Sequence, residues 1–318
     1  MDELSVSEHL RRLKRRPLVW NKCFLLAAVL ITTASAAEGQ DGAAIPFEKD
    51  VIYSHAGGEV LKVDVARPAS GIGPFPVILC IHGGGWQLGN KSIYGEIIRA
   101  FARRGYVAAS LDYRLTPRFR WPAQIQDVKC AIRYLRAHAS EYRIDPNRFA
   151  VLGDSAGGHL ALMAGLTDAR DGLEGPSCGD PNISSRVQAV VDFFGPTDLT
   201  SMRVPPEGER LVIQAYGGDS NHVLFDLTGS MDRSGPIFRK ISPVNYVDPA
   251  DCPVLIFHGT ADPLVPLEQS QLLDRALEKA GVPHRLEIVD GGGHGWTGTK
   301  LEQSLRLAME FLDKTLKR

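Results

Sequence analysis

The chain has 318 residues, of which 44% are hydrophobic and 23% charged, and its formal net charge is −1. This ordinary globular composition is sufficient for one large α/β domain with a full core. Because positive and negative charges nearly cancel, the net charge does not favour binding to nucleic acid or to an anionic membrane surface. We therefore expect neither as a partner.

The N-terminal segment is typical of an export signal. A basic region at 11–16 precedes an apolar stretch at 24–31 and a small-x-small cleavage site at 34–36. The apolar stretch is shorter than the ~20 residues that a spanning helix needs, although an uncleaved anchor is the alternative. We therefore predict a signal peptide over 1–37 and one α/β domain over 38–318. The mature protein is expected to be secreted or periplasmic, with no stable membrane anchor.

Four cysteines follow the predicted signal: Cys80, Cys130, Cys178 and Cys252. An oxidising compartment permits a disulfide, but the sequence does not determine which cysteines pair. Cys80 in an apolar strand and Cys130 in a helical segment are interpreted as buried thiols. Cys178, in a loop rich in glycine and proline, is the preferred candidate for a disulfide.

Beyond about residue 47, apolar runs alternate with segments of helical spacing. Strands are predicted at 51–53, 60–66, 76–81, 106–111, 149–152, 187–194, 253–257 and 285–289. Helices are predicted at 93–103, 122–135, 266–279 and 301–316, with another directly after residue 155. The first two strands form a hairpin around a Gly-Gly pair. The alternation predicts a mostly parallel sheet with helices on both faces.

One long span, residues 197–246, separates two predicted strands and shows no clear regular pattern. A connection of this length inside a compact domain is more often functional than accidental. We therefore predict a lid-like insertion that shapes the substrate site, with a purely decorative loop as the alternative.

A glycine-flanked serine follows the strand at 149–152. The segment Gly153-Asp154-Ser155-Ala156-Gly157 has the G-x-S-x-G pattern in the strand–turn–helix context of a nucleophile elbow. The turn is sharp, so the flanking positions must be nearly free of side chain, which glycine provides. The pattern predicts Ser155 as a nucleophile, and the alternative is an ordinary glycine-rich turn.

A serine nucleophile needs a base that a carboxylate orients, and in this arrangement the chain order is serine, acid, histidine. Asp262 follows the strand at 253–257, and His294 lies in a glycine-rich loop after the strand at 285–289. The sequence therefore predicts the triad Ser155, Asp262 and His294. Asp198 also follows a strand and is the alternative acid.

Oxyanion donors are predicted after an earlier strand. The strand at 76–81 runs into His82-Gly83-Gly84-Gly85-Trp86, an HGGG-type loop. We assign the backbone N–H groups of Gly84, Gly85 and Ala156 to the oxyanion, while Gly83 shapes the turn. Trp86 is predicted to wall the substrate pocket, with simple packing as the alternative. Three histidines at strand ends or in a helix are interpreted as structural: His82, His159 and His258.

No cofactor or metal is predicted. The sequence contains no closely spaced set of histidine, cysteine, aspartate and glutamate with metal-ligand spacing. The segment at 85–92 resembles a phosphate-binding P-loop, but Asn90 separates its glycine from its lysine. We therefore reject nucleotide binding.

Five segments carry a family resemblance: HGGGW at 82–86, DYRL at 112–115, GDSAGG at 153–158, HGTADPLVP at 258–266 and GGGHGW at 291–296. Together they resemble the α/β-hydrolase esterases related to hormone-sensitive lipase, in the branch of bifunctional feruloyl and acetyl-xylan esterases. The resemblance implies an α/β-hydrolase fold and a carboxylic-ester hydrolase that forms an acyl-enzyme. Thr116-Pro117-Arg118, where the lipase-like branch usually has Ala-Pro-Glu, favours the carbohydrate-esterase branch.

The implied substrates are acetyl or feruloyl esters of carbohydrate, or other short-chain esters, either as small molecules or linked to a polysaccharide. Two alternatives remain open. A secreted serine peptidase of the prolyl-oligopeptidase type shares this catalytic domain, but usually carries an N-terminal propeller that this sequence does not contain. The second alternative is a non-catalytic binding protein with the same fold. Such a protein would not need the complete set of serine, acid, base and oxyanion glycines that this sequence contains.

Overall fold

The computed structural model describes residues 44–175, 180 and 182–317. The predicted signal peptide and Cys178 lie outside these residues, so both remain predictions. Among the helices that are described, none combines the length and the apolarity needed to cross a membrane.

The described residues form one eight-stranded sheet with the order β1-β2-β4-β3-β5-β6-β7-β8. The strands are β1 Phe47–Ala56, β2 Glu59–Ala66, β3 Phe75–Ile81, β4 Val107–Leu111, β5 Ile144–Asp154, β6 Ala189–Phe193, β7 Val254–Gly259 and β8 His284–Val289. β1 and β2 form the predicted antiparallel hairpin, and β2 is also antiparallel to β4. All pairs from β4 across to β8 are parallel. The predicted, mostly parallel sheet is confirmed.

Helices cover both faces of this sheet. They are α1 Gly95–Arg103, α2 Ala123–Ala137, α3 Ala139–Tyr142, α4 Ala156–Leu166, α5 Pro206–Tyr216, α6 Ser220–Thr228, α7 Pro236–Lys240, α8 Glu268–Ala280 and α9 Thr299–Leu316. Strand β3 shows why its sequence is apolar throughout. Val77 and Leu79 belong to the core cluster that α2 and α4 complete, whereas Ile78 and Cys80 belong to the cluster under α1 and α9. A strand covered on both faces has no polar side.

The insertion at 197–246 is helical, so the prediction of a span without regular structure is wrong. It contains α5, α6 and α7 and then a 3-10 turn at Pro243–Tyr246. Each longer helix has its own end signals: Pro206 begins α5, Asp219 caps the start of α6, and Gly217 and Gly229 end them with left-handed φ angles of 82° and 74°. These helices are too short to show a clear apolar period in the sequence.

Both ends of the insertion are fixed to the domain. The backbone N–H groups of Thr197 and Asp198 donate to Oε1 of Gln269 in α8, at 2.9 and 2.8 Å. The N–H of Leu199 donates to Oγ of Ser242 at 2.9 Å, which joins the start of the insertion to its end. The insertion is therefore a built wall of the domain and not a loose loop.

The cysteines differ from one another in state. Cys130 is disulfide-bonded, so its interpretation as a buried thiol is wrong. Helical spacing predicts its burial, and burial is common to free and bridged cysteines, so the pattern could not separate the two. Cys80 and Cys252 are free. Burial raises the pKa of Cys252 to about 12, which keeps this thiol protonated and unreactive.

Candidate active site

Ser155 lies at the turn between β5 and α4. Its backbone has φ 52° and ψ −120°, a conformation that non-glycine residues rarely adopt and that marks functional turns. A Cβ atom on Gly153 would lie 2.2 Å from the carbonyl oxygen of Gly157, and one on Gly157 would lie 2.1 Å from that of Ile81. Glycine is therefore required on both sides of the serine, as the sharp turn of the pattern demands.

Three predicted residues meet in one chain of hydrogen bonds. Nε2 of His294 lies 2.9 Å from Oγ of Ser155, and Nδ1 of His294 lies 2.8 Å from Oδ2 of Asp262. The Asp262 side chain is fully buried, and that of His294 is 8% exposed. Because a carboxylate accepts, Nδ1 carries the hydrogen and Nε2 is free to accept the serine proton.

Asp262 is held as a carboxylate by its loop. Its Oδ1 accepts the backbone N–H groups of Leu264 and Val265 at 2.8 and 3.0 Å. Burial alone would raise the pKa of Asp262, but the electrostatic attraction of His294 and the hydrogen bonds with His258, His294 and Val265 hold it well below its ordinary value. The group is therefore ionised at neutral pH and can stabilise a positive charge on His294.

His258 contacts the same loop. The sequence predicted a structural role for this histidine but not its partners. Its Nε2 lies 2.8 Å from the carbonyl oxygen of Val265 and 3.5 Å from Oδ2 of Asp262. Its Nδ1 lies 2.6 Å from Oγ of Ser270 in α8. His258 therefore joins the loop of the acid to a helix.

The alternative acid is engaged elsewhere. The carboxylate of Asp198 accepts hydrogen bonds from the hydroxyl groups of Thr200 and Ser201, both at 2.6 Å, and so closes its own turn. Asp290, the aspartate that directly follows β8, accepts a hydrogen bond from the hydroxyl of Thr260 at 3.3 Å. The geometry at His294 thus favours Asp262 over both.

The glycines of the HGGG-type loop differ in their contacts. The N–H of Gly83 donates to Oδ1 of Asp154 at 3.1 Å. Within the described part of the chain no acceptor takes the N–H of Gly84 or Gly85. Ala156 is the first residue of α4, where backbone N–H groups have no acceptor within the helix. The N–H of Gly83 is thus occupied and those of Gly84, Gly85 and Ala156 are available, while their role as oxyanion donors stays a prediction.

Asp154 was not singled out by the sequence, and it links the two halves of the site. Its Oδ1 accepts the hydroxyl of Tyr94 at 2.6 Å as well as the N–H of Gly83. The residue is buried, which raises the pKa of its carboxyl. It occupies the position directly before Ser155. The elbow and the oxyanion loop are therefore tied together through this side chain.

The structure places Trp86 in the core cluster, as the packing alternative expects, and its role as a pocket wall stays a prediction. Trp86 is only 4% exposed, and its Nε1 lies 3.3 Å from Nδ1 of His159. The other nitrogen of His159 lies 2.7 Å from the carbonyl oxygen of Ile241 in the insertion. Burial lowers the pKa of His159 to about 4, so this ring is neutral. The three residues join the oxyanion loop, α4 and the insertion.

Comparison with known proteins assigns the chain to a family. The BD-FAE family model matches residues 63–277. The chain belongs to the BD-FAE family. Esterase LipC of Mycobacterium tuberculosis is 34% identical over 244 residues, which cover 70% of this chain and 56% of LipC. The chain thus spans about half the length of the curated relatives it matches.

Solved structures show the same fold. A truncated carbohydrate esterase from gut microbiota matches with a TM-score of 0.73 and 30% identity, covering 86% of this chain and 97% of that one. A thermophilic esterase of Thermogutta terrifontis matches with a TM-score of 0.66 and 29% identity, covering 86% and 92% of the two chains. The family member described here therefore has the α/β-hydrolase fold, as the resemblance implied.

Proposed function

We propose that the protein is a serine carboxylic-ester hydrolase that acts through an acyl-enzyme. The observation that carries this proposal is the chain of hydrogen bonds from Asp262 through His294 to Ser155. It stands beside a glycine loop whose N–H groups are available for a developing negative charge. The similarity to esterases, by sequence and by structure, supports the same reaction.

In the proposed cycle, Nε2 of His294 takes the proton of Ser155 as Oγ attacks the ester carbonyl carbon. The carbonyl oxygen becomes an oxyanion that accepts hydrogen bonds from the N–H groups of Gly84, Gly85 and Ala156. His294 then gives its proton to the leaving alcohol, and the acyl group stays on Oγ. Water repeats these steps, releasing the acid and restoring the serine. Asp262 holds the imidazole in the required tautomer throughout.

For substrates we propose acetyl or feruloyl esters of carbohydrate, or other short-chain esters, free or linked to a polysaccharide. Two features support this class: the resemblance to the feruloyl and acetyl-xylan branch, and the similarity to a structure named a carbohydrate esterase. We also propose that the protein is related to the esterases of the hormone-sensitive lipase group. Parallel assays on acetylated xylan, methyl ferulate and p-nitrophenyl acetate and octanoate distinguish these substrates.

We also propose export with removal of the predicted signal peptide over 1–37. The basic and apolar stretches of that segment support it, and so does the disulfide at Cys130, because disulfides persist in oxidising compartments. N-terminal sequencing of protein recovered from the periplasm or the medium should find a start near residue 37 or 38. Protein that stays in the cytoplasm with an intact N-terminus would contradict export.

The reaction is tested first at the nucleophile. Ser155→Ala should abolish hydrolysis of p-nitrophenyl acetate while circular dichroism and the melting temperature stay close to those of the wild type. Loss of His294 or Asp262 should reduce kcat by a factor on the order of 10⁴. A fluorophosphonate should label Ser155, as mapped by mass spectrometry.

Three results would decide against the proposal. Undiminished turnover by Ser155→Ala would remove the nucleophile. A wild type without turnover or label would indicate a binding protein. Cleavage of a proline-containing peptide anilide in preference to every ester would indicate a peptidase.

A further inference from the structure

Helix α5 of the insertion lies against both loops of the site. A Cβ atom on Gly208, near the start of α5, would lie 1.7 Å from the carbonyl oxygen of Pro263, the residue after Asp262. A Cβ atom on Gly85 would lie 2.6 Å from Cζ of Tyr216, the last residue of α5. One short helix therefore touches the acid loop at one end and the oxyanion loop at the other.

The residues that make these contacts lie on one face of α5. Gly208, Val212 and Tyr216 are four residues apart, and Val212 is buried. The rise of a helix puts the two ends of this row about 12 Å apart. Arg210 is exposed and lies on the opposite face. The row therefore spans the distance between the loop of the acid and the loop of the predicted oxyanion donors.

At the oxyanion loop, Tyr216 packs directly on a backbone that has no side chain of its own to fix it. Gly85 has a left-handed φ of 59°, and the preceding Gly84 has a φ of 112°. A Cβ atom on Gly84 would lie 2.2 Å from the carbonyl oxygen of Leu88, so the loop is closed on that side by its own turn. The ring of Tyr216 closes it at Gly85. Burial raises the pKa of Tyr216, so the ring stays uncharged.

We infer that Tyr216 is a positioning residue for the reaction. Its ring holds the Gly84-Gly85 backbone in the orientation in which the N–H groups meet the oxyanion, and α5 is the rigid support of that ring. The atoms of Tyr216 nearest to Gly85 are Cζ, the hydroxyl oxygen and Cε1, and the inference assigns the positioning role to the ring. This inference rests on the proposed ester hydrolysis and adds to it a residue from the insertion.

The test compares Tyr216→Ala, Tyr216→Phe and the control Arg210→Ala on the same helix. Removing one oxyanion donor costs about 10²–10³ in kcat, and a donor that is only misaligned should cost less. We expect Tyr216→Ala to lower kcat on p-nitrophenyl acetate roughly tenfold to a hundredfold with little change in KM, because the interaction strengthens only in the transition state. Tyr216→Phe and Arg210→Ala should both keep the wild-type kcat.

A second readout separates positioning from a structural role. A trifluoromethyl ketone forms a hemiketal oxyanion on the serine, so its inhibition constant should rise in Tyr216→Ala by about the factor lost in kcat/KM. Melting temperatures verify that each variant is folded, and Tyr216→Leu replaces the alanine variant if that one unfolds.

Several outcomes would overturn the inference. Unchanged kcat in folded Tyr216→Ala or Tyr216→Leu would remove the role of the ring. An equal loss in Tyr216→Phe would move the role to the hydroxyl. A rise in KM alone, with the inhibition constant unchanged, would make Tyr216 a simple binding contact. If the wild type neither hydrolyses esters nor takes a fluorophosphonate label, the proposed function itself is wrong. If the wild type is active but substitution of Tyr216 has no effect, only the inference about Tyr216 is wrong.

Discussion

Asp154 and Asp192 place two buried carboxyl groups beside the nucleophile elbow. Asp154 directly precedes Ser155, and Asp192 of β6 pairs in register with Gly153 of β5. Oδ1 of Asp192 accepts the N–H of Gly195 at 3.0 Å, and its Oδ2 has no hydrogen-bond partner among the described residues. Burial raises the pKa of Asp192 to about 8, with the charge of Asp154 as a further cause. Asp192 is therefore mostly protonated at neutral pH.

This environment predicts a stability that depends on pH through Asp192. In the unfolded chain an aspartate ionises near pH 4, whereas the folded protein keeps this proton up to about pH 8. Between these values the folded state binds more protons, so rising pH lowers the stability of the wild type. Asp192→Asn does not titrate. The free energy of unfolding, measured in urea, should therefore increase for Asp192→Asn relative to the wild type from pH 4.5 to 8. Above pH 8 the difference between the two proteins should stay constant.

Asp198→Asn is the matched control, because the pKa of Asp198 is shifted the other way. Burial would raise this pKa, but the hydrogen bonds from Ser201 and Thr200 lower it. The ionised form of Asp198 is thus the stabilising one, and its contribution is complete above the unfolded pKa. The control should lose stability by a constant amount from pH 5 upwards. A difference between Asp192→Asn and the wild type that does not change with pH would contradict the assigned environment of Asp192.

At the scale of elements, local signals predict the loops of the site well. Each of the predicted groups stands in a short motif directly after a strand, and parallel strands bring their carboxyl ends to one edge of the sheet. Ser155 follows β5, Asp262 follows β7 and His294 follows β8. The order of motifs along the chain was therefore enough to expect that these side chains meet, as they do in the structure.

The insertion shows where the sequence is insufficient. Its helices are short, so their apolar spacing is weak, and only caps such as Pro206 and Asp219 mark them. The contact between Tyr216 and Gly85 depends on how α5 docks on the domain, and no local pattern encodes that. The same holds for Asp154, whose partners Gly83 and Tyr94 come from distant parts of the chain.

At the scale of the whole molecule, charged groups inside the protein join distant segments on the face of the sheet covered by α2. The side chain of Lys129 in α2 is fully buried, and its Nζ lies 3.0 Å from Oε1 of Glu174, 3.0 Å from the carbonyl oxygen of Thr167 and 3.2 Å from Oγ of Ser185. Cys130, the next residue in α2, is disulfide-bonded. Helical spacing predicts that this part of α2 is buried, but it does not predict that the burial is polar and cross-linked.

The disulfide at Cys130 should therefore contribute to global stability, since cross-links typically stabilise by about 2–4 kcal/mol. Cys130→Ala should lower the melting temperature under non-reducing conditions. Dithiothreitol should lower the melting temperature of the wild type towards that of the variant and leave the variant itself unchanged. Cys252→Ala is the control, because Cys252 is free, so this variant should keep the wild-type response to the reductant. If Cys130→Ala still responded to dithiothreitol as the wild type does, the stabilising cross-link would not include Cys130.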